Sequence, residues 1–131
     1  MRFVDSNVLL YSVSTRPSEL RKRDVANAVL TAPDLAVSVQ VLQEFYVQAT
    51  RSELSHESAV DMVTSFCRFP VQDMTVDILT AALTTRERYQ ISYWGAAILE
   101  AARALGCHTV LSEDLNAGQD YGGVRVANPF A

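Results

Sequence analysis

Lysine is almost missing from this chain, with Lys22 its sole example, and Trp94 is its one tryptophan. Cysteine is scarce as well. Cys67 and Cys107 sit among apolar residues without a CxxC pair or a Cys/His spacing, which argues against a disulfide framework or a zinc cage and assigns both thiols to a reduced core. His56 and His108 are expected to be core residues in the same way. No apolar run reaches the ~20 residues of a membrane-spanning helix. Near the N-terminus, Arg2 and a short apolar stretch are interrupted at once by Asp5, Ser6 and Asn7, which makes no signal-type core, so a cytoplasmic protein without a membrane role is expected. There is no Gly-rich loop to cradle a nucleotide, and no Ser/His/Asp or Cys/His set for nucleophilic catalysis. Positive charge is in deficit, with a formal net charge of −4. Any contact with nucleic acid must therefore come from local patches or bound cations. The one basic cluster, Arg16, Arg21, Lys22 and Arg23, reads equally well as a solvated helix face.

What is present is the composition of an ordinary globular domain, 49% hydrophobic and 20% charged over 131 residues. No linker-like tract divides it, and a single domain spanning residues 1–131 is expected. Strand and helix patterns alternate. A strand closes at Asp5. Pro17 and Ser18 introduce a helix with Leu20, Val25, Ala26, Val29 and Leu30 on its apolar side, and Leu35 to Val37 forms a second strand. A helix from Val39 to about Arg51 carries Val41, Leu42, Phe45 and Ala49, and Ser55 caps another with Ala59, Met62, Val63, Phe66 and Cys67 inward. A short strand at Val71 precedes a helix capped by Thr75, with Ile78, Leu79, Ala82 and Leu83 inward. Ser92 to Leu105 reads as a helix with a stripe through Trp94, Ile98, Ala101, Ala102 and Leu105, ended by Gly106. Strands at Thr109 to Leu111 and Val124 to Ala127 complete the pattern. The expected fold is α/β: a three-layer α/β/α sandwich around a mostly parallel twisted sheet.

In such a sheet, ligands bind at the carboxyl ends of the strands. Asp5 lies there after the first strand and Asp114 after the strand at Thr109, and Glu44 borders the apolar stripe of the helix that follows the second strand. Carboxylates that share a rim without cations repel and raise one another's pKa, whereas a hard divalent ion holds them ionised. This grouping fits a metal site. Taken singly, Asp5 also reads as a helix N-cap, Glu44 as a rim residue bonded to Arg51 or a backbone amide, and Asp114 as a turn former. Two other classes that use an early Asp fail on lysine. A haloacid dehalogenase-type phosphatase needs a second Asp where Asn7 stands and a late lysine, and a receiver domain needs a lysine at a late strand end.

The segments FVDSNVLLY, SVQVLQEFY around Glu44, ISYWGAAILEAA, LSEDLN and the closing VANPF resemble those of PIN-domain ribonucleases of the VapC toxin type, in order and over nearly the whole chain. The resemblance implies a PIN-like fold and an endoribonuclease dependent on Mg²⁺ or Mn²⁺. It also implies a small antitoxin protein as partner, an RNA substrate and a homodimer. It places catalytic and metal-binding roles on Asp5, Glu44 and Asp114, with Ser6, Ser112 and Asn116 as supporting polar residues. The third acidic position of the pattern falls on Gly95, where the family motif reads ISYWD. An impaired nuclease is therefore expected, and the alternative is a non-catalytic PIN-fold module that still engages an antitoxin or RNA.

Overall fold

The structure, a computed structural model, describes residues 1–52 and 54–131. Strands β1 (Arg2–Val4), β2 (Leu35–Ser38), β3 (Val71–Gln72), β4 (Thr109–Leu111) and β5 (Arg125–Ala127) form one sheet in the order β3-β2-β1-β4-β5. Every strand pairing is parallel, with Phe3 registered against Ala36 on one side and Val110 on the other. The central strands are apolar runs rather than alternating ones because helices cover the sheet. Phe3, Val4, Leu35, Ala36, Val37 and Val110 are all fully buried.

Among the described residues, six helices make the crossovers: α1 (Ser6–Ser12), α2 (Leu20–Leu30, after a 3₁₀ turn at Pro17–Glu19), α3 (Val39–Ser52), α4 (His56–Phe66), α5 (Val76–Tyr89) and α6 (Tyr93–Ala104). They fall into two groups. Helices α1 to α4 pack on one another, with α3 also against β2, while α5 pairs with α6 and α6 lies against β2, β3 and β4. The caps follow local chemistry: the Ser55, Thr75 and Ser92 hydroxyls accept from the third backbone N–H beyond them, at Ser58, Ile78 and Gly95. After α6 the chain turns at Gly106, whose φ of 77° lies in the left-handed region that glycine enters without strain.

Several residues expected inside are outside. Leu20, Leu79, Leu83 and Trp94 are exposed, as is Cys67 at the C-cap of α4. Among the described residues, α6 is the one element that covers much of α5, so the buried positions of α5 are Ile78, Ala82 and Thr85, and the adjacent row of Leu79 and Leu83 faces out. Trp94 belongs to the first turn of α6, where the helix emerges at the sheet's carboxyl rim. His56 is exposed and hydrogen-bonds to the Tyr46 hydroxyl, and His108 is likewise exposed.

The strand order decides where a site is built. From β1 the chain steps to β2 and β3 on one side and resumes with β4 and β5 on the other, so the order reverses between β1 and β4. The crevice at such a reversal is where open α/β sheets hold ligands. Asp5 follows β1 there, and Ser112 to Asp114 follow β4.

Candidate active site

Asp5 is placed by the end of the sheet. Its N–H donates to the Leu111 carbonyl at 3.0 Å, one step beyond the last registered pair of β1 and β4, and the Ser112 N–H likewise donates to the Ala127 carbonyl at 3.0 Å. The Asp5 side chain is the N-cap of α1, with Oδ1 accepting from the Ser6 N–H at 2.7 Å. Capping and the rim position are therefore one fact: the cap holds the carboxylate at the switch point. Its Oδ2 accepts from the Ser112 hydroxyl at 2.7 Å.

Ser112, fully buried, is the hub. Its Oγ also accepts from Asn7 Nδ2 and from the Asp114 N–H, both at 3.1 Å. Asn7 Nδ2 donates in addition to Asp114 Oδ2 at 3.1 Å, so Asn7 ties the loop after β4 to α1. On the other side, the Ser38 hydroxyl accepts from the Val41 N–H and tightens the first turn of α3, from which Glu44 projects toward the rim. Glu44 Oε2 accepts from the Ser6 hydroxyl at 2.9 Å, and Oε1 accepts from Gln40 Nε2 at 2.9 Å. Asp5, Glu44 and Asp114 thus belong to one hydrogen-bonded cluster, linked through Ser6, Asn7 and Ser112.

Its electrostatics are strained. Burial pushes the Asp5 carboxyl up to about 6 despite the hydrogen bonds from Ser112 and Ser6, and the charges of Glu44 and Asp114 add to the rise. Among the described residues, none of these three carboxylates is in an ion pair. The neighbouring Glu113 differs. Lys22 Nζ reaches Glu113 Oε2 at 2.8 Å, and the Tyr11 hydroxyl donates to Oε1, so these contacts outweigh burial and hold Glu113 below the usual carboxylate range. The rim does have a cation within reach, Lys22, the one lysine of the chain. It is spent on Glu113.

The remaining sequence candidates lie apart. Asn116 is exposed and donates to Gln119, outside the cluster. Gly95 sits in the first turn of α6, and a Cβ added there would stand 2.9 Å from Leu115 Cδ2 and 3.2 Å from Ser92 Oγ. The space above the glycine is thus shared with a leucine from the loop after β4. Sequence reasoning missed Asn7 and Gln40 as bridging residues. Asn7 stood in the motif beside Asp5, but Gln40 left only its position one turn before Glu44 as a signal.

Among the described residues, no three carboxylate, imidazole or thiol groups form a ready-made cage for a metal ion. The donor set nevertheless fits a hard divalent cation. It is all oxygen and anionic, with none of the three carboxylates ion-paired among the described residues, and Mg²⁺ takes one or two carboxylates while keeping several waters.

A comparison with curated proteins finds no match. Among solved structures, the VapC20 toxin of Mycobacterium tuberculosis, described as cleaving the sarcin-ricin loop, is similar at a TM-score of 0.72 and 19% identity, covering 87% of this chain and 92% of its own. A toxin-antitoxin complex from Klebsiella pneumoniae is similar at 0.72 and 21% identity, covering 98% of each chain. DNA-bound VapBC from Salmonella typhimurium gives 0.69 and 18%, covering 98% of this chain and 97% of its own. At these identities the likeness is one of fold. The family model for the PIN domain matches residues 2–119, and the chain belongs to the PIN-domain family.

Proposed function

We propose that this chain is a metal-dependent endoribonuclease toxin of a toxin-antitoxin pair, acting in the cytoplasm, with catalysis impaired by glycine at position 95. The observation that carries this reading is the clustering of Asp5, Glu44 and Asp114 at the β1/β4 switch point, none of them ion-paired among the described residues. Asp5 and Asp114 would hold Mg²⁺ or Mn²⁺, with Glu44 as a further ligand or as a base acting through water. When bound, such an ion lowers the pKa of its water and offsets charge on a phosphodiester. The protein's own residues prepare the site. Ser112 and Ser6 orient Asp5, Asn7 fixes the loop that carries Asp114, and Gln40 and Ser6 hold the two oxygens of Glu44. Hydrogen bonds that orient metal-binding side chains commonly govern metal affinity by about 10- to 100-fold.

The reduced activity follows from Gly95, which supplies no carboxylate and has Leu115 Cδ2 where a Cβ would come. An antitoxin partner is supported by the similar folds found in toxin-antitoxin complexes. A homodimer is supported by α5, which leaves Val76, Leu79 and Leu83 exposed at helical spacing. The test is RNA cleavage in Mn²⁺ by the unmodified chain and by Gly95→Asp. Weak or no cleavage that Gly95→Asp raises is expected. If both are inert while folded, the enzymatic reading fails and the binding-module alternative replaces it; if the unmodified chain matches Gly95→Asp, the impairment fails.

A further inference from the structure

Trp94 is 63% exposed, an unfavourable place for the largest apolar side chain unless something covers it. It is nonetheless well positioned. Tyr93 packs against it edge-on at 5.0 Å between ring centroids, and the Trp94 carbonyl accepts from Gln40 Nε2 at 3.2 Å, the same group that donates to Glu44. The indole borders an open recess of about 370 Å³ between α3 and the first turn of α6, lined by Gln40, Gln43, Glu44, Val47, Gln48 and Trp94. That volume falls in the ~300–1,000 Å³ range of small-molecule sites.

The lining has a particular chemistry. It offers one aromatic face, one aliphatic wall at Val47, and the exposed amides of Gln43 and Gln48, whose side chains have no hydrogen-bond partner among the described residues. Gln40 is buried and keeps an Oε1 without a donor among those residues, the kind of unsatisfied group that calls for an explanation. An aromatic face with amides that both donate and accept is what an unstacked nucleobase requires. Glu44 on the same wall disfavours a phosphate. Gln48 also lines a second recess of about 300 Å³ with Asn7 and Glu113, so both recesses border the acidic cluster, one at Glu44 and the other at Asn7.

We infer that the recess at Trp94 is a subsite for one unstacked base of single-stranded RNA next to the cleavage site, with Trp94 stacking on the base and Gln43 and Gln48 meeting its edge. This rests on the ribonuclease reading above. Because Trp94 is the only tryptophan, its emission reports on this recess alone.

The test titrates the full chain, in metal-free buffer, with a fluorescein-labelled single-stranded RNA of mixed sequence followed by anisotropy, and with the unlabelled RNA followed by tryptophan emission. Saturable quenching is expected over the concentration range in which anisotropy rises, with much less for the same sequence as a duplex. Trp94→Ala is expected to bind the labelled strand about 5- to 150-fold more weakly, the range for loss of one base stack, with an unchanged unfolding midpoint. Trp94→Phe should recover most of the affinity. If RNA binds without quenching, or Trp94→Ala binds as tightly as the unmodified chain, the subsite is overturned while the ribonuclease reading stands. If no RNA binds at any concentration, the subsite is overturned, and the ribonuclease reading is decided by the cleavage assay in Mn²⁺.

Discussion

Replacing Asp5 by asparagine is expected to stabilise the metal-free fold at neutral pH while removing the anchor of its site. In the folded chain the Asp5 carboxyl is raised from its ordinary 3.8 to about 6. A raised carboxyl binds its proton more tightly when folded, so its contribution to stability is full below pH 3.8 and is lost as pH rises through about 6. At about 1.36 kcal/mol per pH unit, the ionised form costs ~3 kcal/mol at pH 7. Asparagine avoids that cost but turns an NH₂ toward Ser112 or Ser6 in place of an accepting oxygen. Ser112 Oγ already accepts twice, so one hydrogen bond worth about 1 kcal/mol is lost. The net is ~2 kcal/mol in favour of Asp5→Asn at pH 7, or roughly 8 °C in Tm for a domain of this size. At pH 4 the advantage vanishes or reverses slightly. Thermal and urea unfolding of both forms in metal-free buffer across this range measures the difference, in which the other carboxylates largely cancel. A pH-independent difference, or an Asp5→Asn form that is less stable at pH 7, would refute the reasoning.

Other outcomes follow from the same contacts. Ser112→Ala removes a buried hydroxyl that serves Asp5, Asn7 and the Asp114 backbone, and is expected to cost about 1–3 kcal/mol in urea unfolding and to move the Asp5 titration further up by NMR. Lys22→Met breaks the partly exposed pair with Glu113. A loss below about 1 kcal/mol is expected, smaller still in high salt. The stability that Glu113 adds is present above the ordinary carboxylate range and is lost as pH falls through its lowered folded value, so the Lys22→Met deficit should shrink on acidification.

The sequence made the fold legible because its signals were periodic and local. Pro17, Ser55, Thr75, Ser92 and Gly106 punctuate the helices where they begin and end, and the apolar runs of the central strands admit few readings in a chain that alternates. Trp94, Leu79 and Leu83 defeated the same logic. Helical spacing gives a stripe but not its width, and which edge is covered depends on a neighbouring helix. The carboxylates were visible because Asp, Asn and Glu are poorly placed beside buried apolar segments unless something uses them. The bridges were not. Ser6 to Glu44 and Asn7 to Asp114 join residues 38 and 107 apart in the chain, and no local pattern marks such pairs. Nor does glycine at position 95 announce that Leu115 stands over it.

Mn²⁺ binding, measured by calorimetry on the folded protein, tests the central claim most directly. The unmodified chain is expected to bind weakly, Gly95→Asp at least about 10-fold more tightly, and Asp5→Asn not measurably. An Asp5→Asn form that binds Mn²⁺ as well as the unmodified chain would contradict the account, because the carboxylates at the switch point would then not be a metal centre.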